Sequence, residues 1–486
     1  MPDSRKSPGA GSNQRTLIHR ADTLASACLC AVIALVPFPF GSTDLRVIAV
    51  WVLLLSAILA LASLQALSAH DVVILSGFAI VALSWGLVVA EQLSRAPMFA
   101  EQLINPIWRQ TGAIIGHGLT GTISLARHQP YFSAGSQIAC MLSMVCGFLV
   151  GRNRNAAYLL LMTFAGSGLV YAIYGILAFI LWPDYLLWQP RFNYENSLVG
   201  TFFNPNVAAV YFGACTVAWL LILAKAVNAA SAGPLQSWRN LADAFFSTPS
   251  RWTIACFMAS FIVISAIFMT GSRAGSILSL LALSGAAATL YRRELGTRRL
   301  RLAFPLSAAC AIVVALQFFG GRVGQRFGSE GLFDPGRWNT YLSTLRIIEE
   351  HSWLGTGLGT FRWAFPRYRS DNIFISGIWE QAHSTTLEIA SEMGIPFTVL
   401  VVVAWLIIFF VLGRGMLTRK RDAILPMATF WIALLAVLHS QIDFSLQIPG
   451  FSIAICPLIG MGLAQAASRR ALTQPIAKKA GSCTSR

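Results

Sequence analysis

Apolar runs of about twenty residues recur along almost the whole chain, and no other feature constrains its fold as tightly. In a bilayer every backbone N–H and C=O must be bonded within the chain. Runs of this length are therefore read as α-helices able to cross about 30 Å of hydrocarbon. They fall near residues 22–40, 46–67, 71–90, 133–151, 156–182, 205–224, 252–270, 274–290, 302–319, 395–413, 423–441 and 449–467. The runs are continuous rather than alternating, which excludes a β-barrel. Only 12% of the residues are charged, about half the share of a soluble domain. The expected fold class is an all-α polytopic membrane protein with about twelve transmembrane helices.

The first run has the flanks of a secretory signal, but no small-x-small cleavage site follows it; the chain continues Pro37-Phe38-Pro39-Phe40-Gly41. It is read as a retained span. The positive-inside rule then orients the chain. With the N-terminus in the cytoplasm, 23 of the 36 basic residues fall inside and 14 of the 20 acids outside. All five lysines, Lys6, Lys225, Lys420, Lys478 and Lys479, are inside. The expected organisation is a disordered cytoplasmic N-terminus (1–20), nine spans (21–319), a large outer loop (320–394), three spans (395–468) and a disordered cytoplasmic tail (469–486). Two smaller outer loops, 91–132 and 183–204, interrupt the first nine spans. The net charge of +16 belongs mostly to the cytoplasmic flanks. Basic patches interleaved with aromatic residues are missing, so no nucleic-acid partner is expected.

The loop 320–394 is the hydrophilic centre of the chain. Its basic residues are Arg322, Arg326, Arg337, Arg346, Arg362, Arg367 and Arg369, without a lysine, and Glu330, Asp334, Glu349, Glu350, Asp371 and Glu380 accompany them. A loop that uses only the planar guanidinium suits phosphate oxygens held in fixed geometry. Asp334-Pro335-Gly336 reads as a helix start, with Asp as N-cap and Pro in the first turn. Trp338, Tyr341, Leu342, Leu345 and Ile348 follow at helical spacing, which predicts an amphipathic helix against the membrane domain or at its interface. Gly355, Gly357 and Gly359 permit a tight reversal. A second helix is expected from about Gly377, carrying His383 with Glu380 one turn away on the same face.

Each candidate has a plainer reading. An arginine at a membrane edge is more often a snorkelling anchor or a partner for a nearby acid, and a lone histidine is more often structural than catalytic. Arg273 differs, because Thr270-Gly271-Ser272-Arg273 interrupts two apolar runs with hardly any loop. A charge near hydrocarbon costs up to about 3 kcal/mol at a span centre, so Arg273 should face a polar cavity. Asp443, at another outer span end, is a candidate on the same ground. Asn206 stands in Asn204-Pro205-Asn206 at the start of a span. The cysteines fall in spans or in the tail, which supports neither a disulfide framework nor a zinc site.

These residues resemble the O-antigen ligase and O-antigen polymerase superfamily of bacterial envelope glycosyltransferases. The resemblance rests on Gly200-Thr201-Phe202-Phe203-Asn204-Pro205-Asn206, on Ser272-Arg273-Ala274-Gly275, and on Arg337-Trp338 with Trp353-Leu354-Gly355-Thr356-Gly357-Leu358-Gly359-Thr360-Phe361. It extends to His383-Ser384 followed after nine residues by Gly394, and to His439-Ser440 with Asp443-Phe444-Ser445-Leu446-Gln447-Ile448-Pro449. It implies a GT-C-like membrane glycosyltransferase of the bacterial inner membrane whose catalytic loop 320–394 faces the periplasm. The donor would be a glycan on undecaprenyl diphosphate, moved with inversion to an acceptor sugar hydroxyl of a lipid A core. It also implies that Arg191, Arg273 and Arg337 contact the diphosphate and that His383 is the essential loop histidine. Arg346, Arg362, Asn206, Glu380 and Asp443 are the further candidates for binding diphosphate or glycan.

Undecaprenyl diphosphate is already a good leaving group, so the chemistry mainly requires stabilising the charge that grows on it. No Asp-x-Asp occurs on the outside, so fixed arginines would replace a divalent metal; neither metal nor cofactor is expected. Gly394 is followed by Ile395-Pro396-Phe397 rather than by the second glycine of many ligases. Polymerisation of O-antigen or exopolysaccharide repeat units is accordingly the alternative. A transporter or lipid flippase would need ionisable residues inside spans, and an inert assembly scaffold would need none of these candidates.

Overall fold

The computed structural model describes residues 9–64, 67–98, 101–230, 249–294, 334–373, 378–419 and 422–468. The expected span near 302–319, Arg322, Arg326, Glu330, Gly377 and the tail from 469 lie outside the described residues. Fifteen α-helices are described: α1 (Gly9–Leu35), α2 (Leu45–Leu61), α3 (Ala69–Leu93), α4 (Ile107–Ile115), α5 (Gln129–Gly151), α6 (Arg154–Leu181), α7 (Pro205–Ala230) and α8 (Arg251–Met269). They continue with α9 (Arg273–Glu294), α10 (Pro335–Glu350), α11 (Phe361–Tyr368), α12 (Thr385–Met393), α13 (Ile395–Thr418), α14 (Ile424–His439) and α15 (Pro449–Ala467). A two-stranded hairpin, β1 (Tyr185–Leu186) with β2 (Gln189–Pro190), pairs antiparallel with Leu186 opposite Gln189. Among the described residues eight helices are long and apolar enough to cross a membrane, and α2 and α14 are shorter apolar helices. The chain is an all-α polytopic membrane protein.

Local chemistry sets where the helices begin and end. Ser68 and Asp71 form a reciprocal capping box at α3, while Asn153, Ser250 and Asp334 cap α6, α8 and α10; each supplies an oxygen to first-turn N–H groups that have no helical partner. The apolar run expected over 22–40 leaves the helix at Leu35, because Pro37 and Pro39 lack the N–H to continue it. α7 and α15 are the most enclosed of the long helices, whereas α3 and α13 lie at the edge of the bundle. Close approach of α15 to α5 depends on small residues: a Cβ on Gly147 or Gly460 would overlap the backbone of Pro457 or Met144, a packing mode typical of helices in lipid.

One end of the bundle carries a cap of short helices. α10, α11 and the segment between α11 and α12 share a small core of Ile347, Phe361, Ala364, Phe365, Tyr368, Ile373 and Ala382, joined by Leu125 and Trp379. Of the apolar stripe expected on α10, Ile348 is buried and Tyr341 half-buried. Trp338, Leu342 and Leu345 are exposed, and the enclosed face is Thr340, Ser343, Thr344, Ile347 and Ile348. The hydroxyls of Thr340 and Thr344 bond back to the carbonyls of Gly336 and Thr340, so the polar face is satisfied internally and its small side chains let α12 approach. At the other end, Arg154 pairs with Asp422 at 2.7 Å, Tyr158 donates to the same carboxylate, and Lys225 lies over the Tyr158 ring.

Candidate active site

Asp443 is the hub of the capped end. α14 ends at His439, the Asp443 N–H donates to the His439 carbonyl, and a 3-10 turn over Ser445–Gln447 leads into α15. The carboxylate is 1% exposed. Its Oδ2 accepts from Asn206 Nδ2 at 2.6 Å and meets Arg337 Nη2 at 3.4 Å. Its Oδ1 accepts from the Phe444 N–H at 2.8 Å and faces His383 Nδ1 at 3.5 Å. Burial alone would raise such a carboxyl, but the His383 imidazole and the Arg337 charge outweigh it and hold Asp443 well below the usual carboxylate range. The most enclosed helices thus supply the hub: Asn206 stands in the first turn of α7, and Asp443 lies just before α15.

Arg337 is fixed on three sides. Nη1 donates to the Ile442 carbonyl at 2.7 Å, Nη2 faces Asp443, and Nε lies 3.3 Å from Asp334, the residue that also caps its helix. A guanidinium has five N–H donors, so two remain after these contacts.

His383 adopts φ +55°, the left-handed region that a non-glycine residue enters at a cost. Its ring stands edge-on between Trp379 and Phe444, with centroids 5.5 and 5.1 Å away. Its carbonyl accepts from Tyr341 Oη at 3.1 Å. The 3.5 Å approach to Asp443 is an electrostatic contact longer than a formed hydrogen bond. It turns Nδ1 toward the carboxylate. His439, fully buried nearby, meets Ser445 Oγ through Nδ1 at 3.1 Å, and its Nε2 has no hydrogen-bond partner among the described residues.

A clasp below this centre holds the loop in shape. The backbone bonds Thr356 N to Ser391 O and Gly357 N to Glu392 O join the glycine-rich reversal to α12. Glu392 accepts from Gly359 N and Phe361 N at 2.8 Å each. Gln92, fully buried at the end of α3, donates to the carbonyls of Leu354 and Glu392 and accepts from Leu358 N. Glu388 accepts from Ala382 N at 2.7 Å, the peptide next to His383. Burial pushes Glu392 up to about 7 against its backbone N–H donors, and burial with the neighbouring Glu392 charge raises Glu388 further. The glycine run therefore uses its amides inside the protein rather than offering them to a phosphate. Gly355, at φ +70°, tolerates no Cβ, which would overlap the Glu392 backbone.

The remaining candidates divide. Arg337, His383, Asn206 and Asp443 converge on one centre. Arg273 opens α9 after a turn through Gly271 at φ +68°. The loop beside that turn is held by Leu198 N bonding to Met269 O. Arg191 belongs to this adjacent loop but braces it from within, donating to the carbonyls of Tyr194 and Ser197, and partial burial lowers its pKa. Arg346 lies on the exposed face of α10, turned away from Arg337. Arg362 pairs with Glu380 at 3.5 Å and lies over the Trp363 ring.

The expected helix from Gly377 with Glu380 and His383 on one face is corrected: residues 378–384 are not helical and α12 starts at Thr385. The carboxylate facing His383 comes from Asp443, 60 residues onward in the chain. Gln92, Glu388 and Glu392 had no sequence signal beyond being polar residues next to or within apolar stretches.

Comparison with known proteins agrees with this reading. Residues 258–402 match the family model described as O-Antigen ligase, a segment that contains Arg273, Arg337, His383, Glu388 and Glu392. No curated protein matches the chain. Over that segment the chain is similar to the O-antigen ligase family.

Proposed function

We propose that the chain is a ligase-type, inverting glycosyltransferase that transfers a glycan from undecaprenyl diphosphate to an acceptor sugar hydroxyl, a lipid A core, at the periplasmic face of the inner membrane. The observation that carries this reading is the pairing of His383 with a buried, ionised Asp443 beside the immobilised Arg337. With Nδ1 turned to the carboxylate, His383 Nε2 takes the proton of the acceptor hydroxyl as its oxygen attacks the anomeric carbon. The bond from that carbon to the diphosphate oxygen breaks, and the electron pair leaves with the lipid diphosphate. Arg337, through its two remaining N–H groups, and Arg273 neutralise the charge that develops there. Because these groups are fixed before the reaction, little reorganisation accompanies it.

The test is purified protein incubated with a lipid-linked glycan and candidate acceptors in the presence of a chelator. Transfer to the lipid A core identifies a ligase. Chains that lengthen on the carrier lipid identify the polymerase, a reading kept open by Ile395 in place of a second glycine. His383→Ala should lower transfer by about 10²–10⁴-fold, and Arg337→Ala should do likewise at unchanged membrane levels. Undiminished transfer in both variants would remove the centre from the reaction. Loss of activity in chelator, restored by magnesium, would replace the arginines with a metal.

A further inference from the structure

A second concave surface lies across α11 from the histidine. Trp108, Phe132 and Trp363 line a cleft of about 400 Å³ together with Arg127, His128 and Gln129, within the roughly 300–1,000 Å³ of small-molecule sites. It is built from the segment before α5, the first turn of α5 and α11; the backbone bond of Leu125 N to Thr356 O ties that segment to the loop before α11, and the bond of Trp108 Nε1 to Ser124 O braces the segment itself. Arg127 stacks over the Trp108 ring at 5.0 Å and bonds Thr120 O, but its buried Nε has no hydrogen-bond partner among the described residues. Trp363 is 54% exposed, although a ring of that size normally gains by burial.

We propose that this cleft binds an oligosaccharide carrying anionic substituents, the acceptor of the transfer reaction, and that it does so through Trp108, Phe132 and Trp363 against sugar faces and Arg127 against the charge. The assignment of this saccharide as the acceptor rests on the reading of His383 as the group that receives the acceptor proton. A pyranose has an apolar C–H face and a polar hydroxyl rim. Aromatic rings remove the first from water, while a guanidinium and an amide hydrogen-bond the second. The Nη groups of Arg127 offer charge-assisted donors to phosphate or carboxylate oxygens.

Geometry separates this saccharide from the donor. Asp443, Arg337 and Asn206 stand on one side of His383. On the other, Trp379 packs on Phe365, and Phe365 on Phe361, inside α11. Arg362, next to Trp363, pairs with Glu380 three residues before His383. The imidazole therefore lies between the anion-binding centre and the helix that carries the cleft.

The experiment uses the full chain carrying His383→Ala, which prevents turnover, in nanodiscs. Three hexasaccharides, neutral, phosphorylated and carboxylated, are titrated by calorimetry. The charged ones should bind about tenfold more tightly than the neutral one, and Arg127→Gln should remove that difference. Trp363→Ala should weaken all three about tenfold. The phosphorylated and carboxylated arms tell which anion the acceptor carries. Equal affinity for all three sugars, or unchanged affinity in Trp363→Ala, overturns the cleft assignment. If the cleft variants bind as the parent does while His383-dependent transfer persists, the cleft alone is wrong. If sugars bind as expected but the unsubstituted chain transfers nothing, the cleft stands as a saccharide site and the transferase reading falls.

Discussion

Two carboxylates lie within reach of His383 along the chain or in space, and they should behave in opposite ways. Glu380 is two-thirds exposed and its ion pair with Arg362 is solvent-screened, a class worth about 0–1 kcal/mol. Glu380→Gln should therefore change the transfer rate by less than about threefold. Asp443 is buried, ionised and shared by Asn206, Arg337 and His383. Asp443→Asn removes the buried one of Arg337's two carboxylate partners and releases the tautomer of His383, so the rate should fall by about 10²-fold or more. A rate comparison of the two variants at equal protein level checks both; a large loss in Glu380→Gln with a small one in Asp443→Asn would reverse the assignment. The Asp443 carboxyl is held below its ordinary value. Its contribution to stability is thus complete at neutral pH and is lost only as acid takes the pH down through the folded value.

At the scale of elements, the clasp between the glycine reversal and α12 has the opposite pH sign. Glu392 rises from an ordinary value of 4.5 to about 7 in the folded chain. The folded state then binds more protons than the unfolded one between those values, so the contribution is present below the lower value and lost as pH rises through the upper. Thermal unfolding in detergent should show a midpoint that falls from about pH 5 to about pH 8, and Glu392→Gln should reduce that slope, leaving the part that belongs to the raised Glu388. A slope undiminished by the substitution would assign it to another group. Gly355→Ala should destabilise by about 2 kcal/mol or more, since it forces both a positive φ and an overlap with the Glu392 backbone; accelerated amide exchange over residues 353–361 would locate the damage.

How much of this element was legible follows from what sequence can encode. Asp334-Pro335 and the glycine reversal are local signals, and both fold as the sequence predicts. The carboxylate opposite His383 was not legible as such, because Asn206, Arg337, His383 and Asp443 meet through the packing of α7 against α14 and the 3-10 turn before α15, over separations that leave no periodic trace. Gln92 and Glu392 were invisible for a related reason: their role is to satisfy backbone groups of a distant loop. Arg191 and Arg346 show the converse limit, since a guanidinium spent on its own loop or turned to the outer face of a helix has the same letter as one aimed at a ligand.

For the whole molecule, the decisive question is which end of the bundle faces which compartment. The hub of Asp443 and the cap of α10, α11 and α12 occupy one end, and the Arg154, Asp422 and Lys225 cluster the other. Arg154 and Lys225, which the positive-inside rule assigns to the cytoplasm, lie at the second end, so the capped end should face away from the cytoplasm, where a lipid-linked glycan already moved across the membrane can be met. A thiol scan tests this directly. Asn372 is exposed in the cap and Asn155 is exposed beside Arg154. The described native cysteines are buried or half-buried, so Cys310→Ser with Cys483→Ser removes the two remaining thiols and leaves a quiet background. In intact cells a membrane-impermeant maleimide should label Asn372→Cys and spare Asn155→Cys, and permeabilised cells should label both. The reverse pattern would put the His383 centre in the cytoplasm. The reaction would then have to draw on a glycan donor that had not yet crossed the membrane, and the ligase reading could not stand.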